Sequence, residues 1–437
     1  VIRLGRTAAL VTCGVVLAAT VWAIGGRGWG QLLLAVVLGA GVVALWQTTR
    51  GWTPKTILAV GVALRVGWIL VVPTDPGHDF AEYHAFAGRL AEGKLGSALY
   101  APLPLHQLGY PLFLGGVYST FGASPVVGRW MNVALALWLM LVVHRLARRL
   151  LAPREANLAV LAVALWPEHI AFTSLLASEC LFLPLVWAGV EGALAERWPR
   201  AVVAGSLLGM AIAVRAPGLI AVLAVAGLCL WQRRFVVCGA VLVGVLSASV
   251  ALWGVRRLTG DTVARGTLAY SALMGSNEAS SGRWNEGDHT WYFQRWFLGG
   301  EAQAAADTWP LVASRWLEAD VLRHSLKKLE AQWGAGEVGF DFAFRKRPSD
   351  ARWLLETLND GWALAMLVLA LIGSRDKTPP VLRWLCVAPL GLAVAAHLVL
   401  EANPRYALPW LVGVVLLAAA AAGRVSASPP SSAASPR

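Results

Sequence analysis

Apolar residues in this chain come in runs of about twenty, and that run length decides what the chain can fold into. A helix rising 1.5 Å per residue needs roughly this length to cross the ~30 Å hydrocarbon core of a bilayer. Twelve runs can be drawn, over about 7–24, 31–47, 56–73, 125–146, 156–173, 175–193, 200–214, 217–232, 235–254, 356–373, 382–400 and 405–423. Charged residues make up only 14% of the chain, against roughly a quarter in soluble domains. A larger core does not account for the shortfall, because any soluble fold must still solvate its surface. The expected fold is an all-α polytopic membrane protein with about twelve transmembrane helices.

Positive charge gives the bundle a direction. Arg3/Arg6, Arg50/Lys55, Arg145/Arg148/Arg149/Arg154, Arg197/Arg200, Arg233/Arg234, Arg375/Lys377/Arg383 and Arg424 fall in alternate connections, all on one side. The positive-inside rule makes that side the cytoplasm, so both termini are expected there and the protein in the cytoplasmic membrane. The net charge of +12 belongs to these connections. No soluble, aromatic-interleaved basic surface is offered to nucleic acid. The apolar stretch after Arg6 lacks a cleavage region around residues 18–22, so a retained first helix is expected. Cys13, Cys180, Cys229, Cys238 and Cys386 all lie in apolar runs and form neither a disulfide framework nor a C-x-x-C metal pair.

This topology divides the chain into two N-terminal helices (1–50), a membrane core (51–254), a large outer-face loop domain (255–355), C-terminal helices (356–423) and a disordered cytoplasmic tail (424–437). The first long outer connection, 74–124, carries an ionisable cluster and then a Gly- and Pro-bearing apolar stretch around Gly109. That stretch reads as interfacial or re-entrant helix. The second, 255–355, is rich in tryptophan, which prefers the headgroup zone, and is expected to lie against the membrane surface. No internal repeat is evident, which argues against transporters built from paired halves.

Few residues carry candidate chemistry. His78-Asp79-Phe80-Ala81-Glu82-Tyr83-His84 packs several ionisable groups into two turns, and a helix would put Asp79, Glu82 and Tyr83 on one face. From spacing alone, a solvated face on an interfacial helix has the edge over a site. Glu179 lies a few residues inside an apolar run, where a carboxylate is costly and functional by default. Arg65 is mid-span, where insertion costs about 2.5–3.5 kcal/mol, and must pair, structurally or functionally. Arg129, Arg215 and Arg405 sit at outer helix ends, where snorkelling is the ordinary explanation. Their convergence on one face is what phosphate capture requires. Gly88-Arg89-Leu90-Ala91-Glu92-Gly93-Lys94 imitates a phosphate loop, but Leu95 replaces its Ser/Thr and no strand precedes it. The histidines are too dispersed for a metal triad.

These pieces occur in a telling order. An arginine-bearing helix (Arg65) leads into Asp79-x-x-x-Tyr83. Gly109-Tyr110-Pro111-Leu112-Phe113-Leu114, Arg129…Asn132, Trp166-Pro167, Thr173-Ser174 through Glu179, and Arg215-Ala216-Pro217 follow. Gly275-Ser276-Asn277…Gly282-Arg283-Trp284 and Glu401…Arg405-Tyr406-Ala407-Leu408-Pro409 complete the set. In this order and topology, over roughly 56–423, the chain resembles the GT-C glycosyltransferases. The likeness is to the bacterial polyprenyl-phosphate-sugar-dependent branch, related to protein O-mannosyltransferases and to the aminoarabinose transferase acting on lipid A.

The resemblance implies an inverting, single-step transfer of a sugar from a polyprenyl-phosphate donor to a lipid, glycan or protein hydroxyl on the non-cytoplasmic face. Asp79 would be the base, acting late as the hydroxyl attacks the anomeric carbon, and Glu179 would help shape the pocket beside it. Arg405, Arg215 and Arg129, or a divalent cation (Mg or Mn), would stabilise the leaving phosphate. His78, Tyr83, Arg65, Asn277, Trp284, Glu401 and Tyr406 would complete the binding set. The chain departs from the family in having two prepended helices, and in placing His78 before Asp79 where relatives with an acidic pair have Asp-Glu. The alternative class is a transporter or flippase of a lipid-linked sugar or other amphiphile, for which midplane charges and broken helices would be expected.

Overall fold

A computed structural model describes residues 2–94, 108–195, 197–259, 268–333, 338–345, 351–374 and 378–425. The tail 426–437, Arg375, Lys377 and parts of the 74–124 and 255–355 connections lie outside the described residues. Among the described residues the structure is helical, with no strand. Its first five helices are α1 (Ile2–Arg27), α2 (Trp29–Thr48), α3 (Pro54–Val71), α4 (Asp79–Ala91) and α5 (Gly109–Phe121). Next come α6 (Pro125–Leu150), α7 (Pro153–Ala164), α8 (Pro167–Phe172), α9 (Glu179–Ala193), α10 (Trp198–Val214), α11 (Gly218–Trp231) and α12 (Phe235–Thr259). The 255–355 connection contributes α13 (Leu268–Ser276), α14 (Glu286–Glu318), α15 (Val321–Trp333) and α16 (Val338–Phe344). The chain closes with α17 (Ala351–Gly373), α18 (Pro380–Val399) and α19 (Leu408–Val425).

Among the described residues, seven helices (α1, α2, α3, α6, α12, α17 and α18) are long and apolar enough to span a bilayer, and α10, α11 and α19 are shorter apolar helices. The outward faces of the peripheral helices are apolar: Val236, Val243, Leu246 and Val250 of α12 are all exposed. Such a continuous apolar exterior suits lipid rather than water. This is a membrane protein. The expected spans fall largely on helix, with two differences: the run 175–193 becomes helical only from Glu179, and a second run is interrupted. The run 156–173 is broken into α7 and α8, because Pro167 has no N–H to continue the helix and disfavours helical backbone before it.

Breaking a helix inside apolar surroundings leaves carbonyls without partners, and Arg65 supplies them. From the middle of α3 it donates to the carbonyls of Ala164 (2.9 Å) and Val163 (3.0 Å), to Gly61 O of its own helix (2.9 Å), and meets His169 Nδ1 at 2.8 Å. A cation at a helix C-terminus is also favoured by the helix dipole. The mid-span charge is therefore spent on capping α7.

The centre of the bundle is α7, α9 and α19. An apolar helix with no polar face belongs in an interior, and Val412 and Val414–Ala422 are almost wholly buried. Trp187 of α9 donates to the Pro409 carbonyl of α19 at 2.9 Å, joining the two. The two N-terminal helices are built into the same body. Helix α2 crosses α17 so closely that a side chain at Gly39 would stand 2.6 Å from the Gly361 carbonyl, a small-residue contact of the kind that lets helices approach without hydrophobic drive.

Replacing Arg65 by Met should cost about 1–3 kcal/mol for each carbonyl left unpaired. The thermal midpoint of the detergent-solubilised protein is expected to fall; an unchanged midpoint would contradict the capping role.

Candidate active site

Four chain segments end at one pole of the bundle, each bringing a charge, and three of the charges suit the helix end they occupy. Asp79 opens α4 and Glu179 opens α9, where helix dipoles favour anions. Arg215 follows the last residue of α10, where the dipole favours a cation. Arg405 sits in a 3-10 turn, Pro404–Tyr406, between α18 and α19. Their side chains form one chain of contacts. Arg405 Nη2 donates to Asp79 Oδ2 at 3.2 Å, and its Nε lies 3.4 Å from Glu179 Oε1. Arg215 pairs with Glu179 and donates to Ser178 Oγ at 3.1 Å.

The chain is graded in exposure. The Glu179 side chain is 3% exposed, Arg405 12% and Asp79 52%. A buried carboxylate thus anchors a guanidinium that presents itself to an accessible carboxylate. Burial works against the charge on Arg405, but Glu179 and Asp79 outweigh it and hold its pKa above the ordinary value. Glu179 is itself set by Asn132 of α6, whose amide donates to the Thr173 and Leu175 carbonyls and so pins the turn between α8 and α9.

A second layer surrounds these four. The Tyr406 hydroxyl donates to Glu401 Oε2 at 3.4 Å, the Arg215 guanidinium lies 5.2 Å from the Tyr406 ring centre, and His397 stacks on its ring at 4.9 Å. Burial raises the pKa of Glu401 despite the opposing pull of Arg405 and the Tyr406 hydroxyl. Buried Tyr83 meets Tyr110 edge-on at 5.6 Å and lines the α4 side. Phe80 lies under the Arg405 guanidinium at 5.9 Å.

The helices of the 255–355 connection dock on the same segment. Glu401 N donates to Ser271 O and Ala402 N to Gly282 O, each at 2.8 Å. A side chain at Gly275 would stand 2.2 Å from the Val399 carbonyl, so only glycine permits this approach. The Gly275 carbonyl accepts from buried Lys328 at 2.6 Å and meets His324 Nε2 at 2.9 Å. The connection is thereby fixed on the Arg405 turn.

The other candidate residues go elsewhere. Arg65 caps α7 as described. Arg129 bonds Pro125 O of its own helix at 3.3 Å. His78, held at φ 51, pairs with Arg345 and faces Phe342. Asn277 joins Asp288 of α14, which Arg315 of the same helix grips at 2.7 and 3.0 Å. Trp284 is 53% exposed beside His289. Ser178, Lys328, Tyr270 and His289 were not singled out from the sequence. Ser178, adjoining Glu179, was the one that proximity to a candidate acid signalled.

Among the described residues no group of three or more His, Cys, Asp or Glu side chains gathers to hold a metal. Arg405 stands between the Asp79 and Glu179 carboxylates and contacts both. That donor set does not suit Mg²⁺ or Mn²⁺, which require near-octahedral oxygen ligands.

Fold and site together define a polytopic, all-helical membrane protein that concentrates two arginines and two carboxylates at one pole of its bundle. Among solved structures, the chain is similar to ArnT from Cupriavidus metallidurans bound to undecaprenyl phosphate. The TM-score is 0.39 at 15% identity, over 84% of this chain and 77% of that one. No protein-family model and no curated protein matches the sequence.

Burial holds the Lys328 pKa down to about 7, outweighing attraction from Glu401. The unfolded chain binds that proton more tightly, so stability rises as pH climbs from about 7 toward the ordinary lysine range. Lys328→Met should flatten this rise in the thermal midpoint; an identical slope in both proteins would contradict it.

Proposed function

We propose that this protein is an inverting glycosyltransferase of the cytoplasmic membrane, moving a sugar from a polyprenyl-phosphate donor to an acceptor hydroxyl at the outer face. The acceptor is a lipid, glycan or protein. The observation that carries this reading is the accessible Asp79 carboxylate held by Arg405, itself anchored on buried Glu179.

The chemistry needs one base and one cationic cradle, close together at the edge of lipid. As the acceptor oxygen bonds to the anomeric carbon, the bond from that carbon to the phosphate oxygen breaks, and the acceptor proton passes to Asp79. Charge gathers on the leaving phosphate, and guanidiniums fixed beforehand stabilise it without reorganising. Arg405 and Arg215 fill that role, because Glu179 already holds both in place. The Asp79–Arg405 contact is the one the donor phosphate would compete for. Tyr83, Glu401 and Tyr406 line the surrounding space.

An apolar groove of about 720 Å³ supports a lipid donor. It runs along α3 past Val60, Leu64 and Trp68 and is closed by Phe340 and Leu358. Trp68 meets Phe340 edge-on at 6.1 Å, and two residues further along α16 Phe342 meets Phe80, beside Asp79, at 4.9 Å. The groove is lined by residues of α2, α3, α8, α16 and α17 and not by Asp79, Glu179, Arg215 or Arg405, and its α16 wall is what connects it to Phe80. A flippase reading is less well supported, because the mid-span charge, Arg65, is consumed by backbone carbonyls.

Transfer is measured from a panel of radiolabelled polyprenyl-phosphate sugars to membrane fractions. Asp79→Asn should lower it by about 10²–10⁴ while donor binding persists. Undiminished transfer by the variant would remove Asp79 as base, and no transfer by the wild type from any donor would remove the reading itself.

A further inference from the structure

The 255–355 connection carries a polar-aromatic trio that none of the contacts above explains. Trp284, His289 and Tyr270 come from the 277–285 turn, α14 and α13. The Trp284 indole Nε1 donates to His289 Nδ1 at 3.4 Å, and the Tyr270 hydroxyl meets the same nitrogen at 2.9 Å. An indole N–H can only donate, so Nδ1 is an acceptor and the tyrosine hydroxyl donates to it. The imidazole is then neutral, with its proton on Nε2. Burial lowers the His289 pKa against the opposing pull of Glu286 and Asp79, and burial raises that of Tyr270, in keeping with both assignments.

Position matters as much as protonation. Ser271, next to Tyr270, and Gly282, two residues before Trp284, accept the backbone bonds from Glu401 and Ala402. The trio is therefore fastened to the segment that bears Glu401, Arg405 and Tyr406. Tyr270 and His289 both lie within the electrostatic reach of Asp79. An indole held at its edge yet 53% exposed is a rigid apolar plate. Beside it stands one fixed N–H donor. That pairing recognises a ring with one apolar face and hydroxyls at its rim.

We propose that Trp284 and His289 form a saccharide subsite over the Asp79–Arg405 site, with a sugar ring stacked on the indole and a hydroxyl accepting from His289 Nε2. Tyr270 is a positioning residue that fixes the imidazole tautomer. The proposal rests on the glycosyl-transfer reading for its setting. Binding alone tests it, so the two fail separately.

The test is saturation-transfer NMR on the full chain in detergent, with a panel of methyl pyranosides and furanosides as probes. Wild type should transfer saturation to at least one glycoside, chiefly to the C–H groups of one ring face. Trp284→Ala should weaken that binding at least about tenfold, Trp284→Phe should keep most of it, and His289→Ala should weaken it with the stacked face unchanged. Adding the polyprenyl-phosphate form of the same sugar displaces the glycoside if the subsite takes the donor's sugar. It leaves the glycoside bound if the ring is the acceptor's. No saturation transfer in the wild type, or equal binding by Trp284→Ala, would overturn the subsite; a Trp284-independent glycoside signal beside intact sugar transfer would overturn it while leaving the proposed reaction standing.

Discussion

A guanidinium shared between two carboxylates organises this protein. Arg405 touches Glu179, which is buried, and Asp79, which is not. Glu179 also holds Arg215. Buried charges are tolerated only when paired, and removing one member of such a pair costs about 3–5 kcal/mol. The four groups therefore depend on one another. Asp79, Glu179 and Arg215 also sit at helix ends whose dipoles suit their sign, so the backbone supplies part of the compensation, whereas Arg405, in the turn before α19, relies on the two carboxylates.

The rest of the fold holds these four ends together. Glu179 and Arg405 sit at the starts of α9 and α19, which are among the most buried helices and are joined by Trp187. Groups mounted on interior helices keep their spacing better than groups on surface loops. The break between α7 and α8 has the same purpose. It brings the Thr173–Glu179 turn to the pole, and Arg65 makes the break tolerable in apolar surroundings. The 255–355 connection then packs on the Arg405 turn through two backbone bonds and the close approach at Gly275.

Much of this was legible in the sequence, for identifiable reasons. Runs of apolar residues mark spans because lipid imposes one length. Glu179 could be named because a carboxylate inside an apolar run is expensive. Spacing alone favoured a solvated face for Asp79 and snorkelling for Arg215 and Arg405, which only the resemblance drew together. Other features depended on partners far along the chain. Arg65 was recognisable as needing a partner, but those partners are carbonyls freed by a proline about a hundred residues later. Asn277 stood in a promising motif, yet it donates to Asp288, which Arg315 holds in turn. Lys328 and His289 lie on helices with many polar residues, so their pattern reads as solvated faces. Only the tertiary contacts with Gly275 and Tyr270 distinguish them.

The central claim is that the Asp79–Arg405 contact is the resting state of a phosphate-binding site. An experimental structure of the full chain with a polyprenyl phosphate tests it most directly. The account predicts the phosphate on Arg405 and Arg215, the isoprenoid tail in the groove along α3, and the Asp79 carboxylate released from Arg405. A phosphate bound elsewhere, with Arg405 still paired to Asp79, would contradict it.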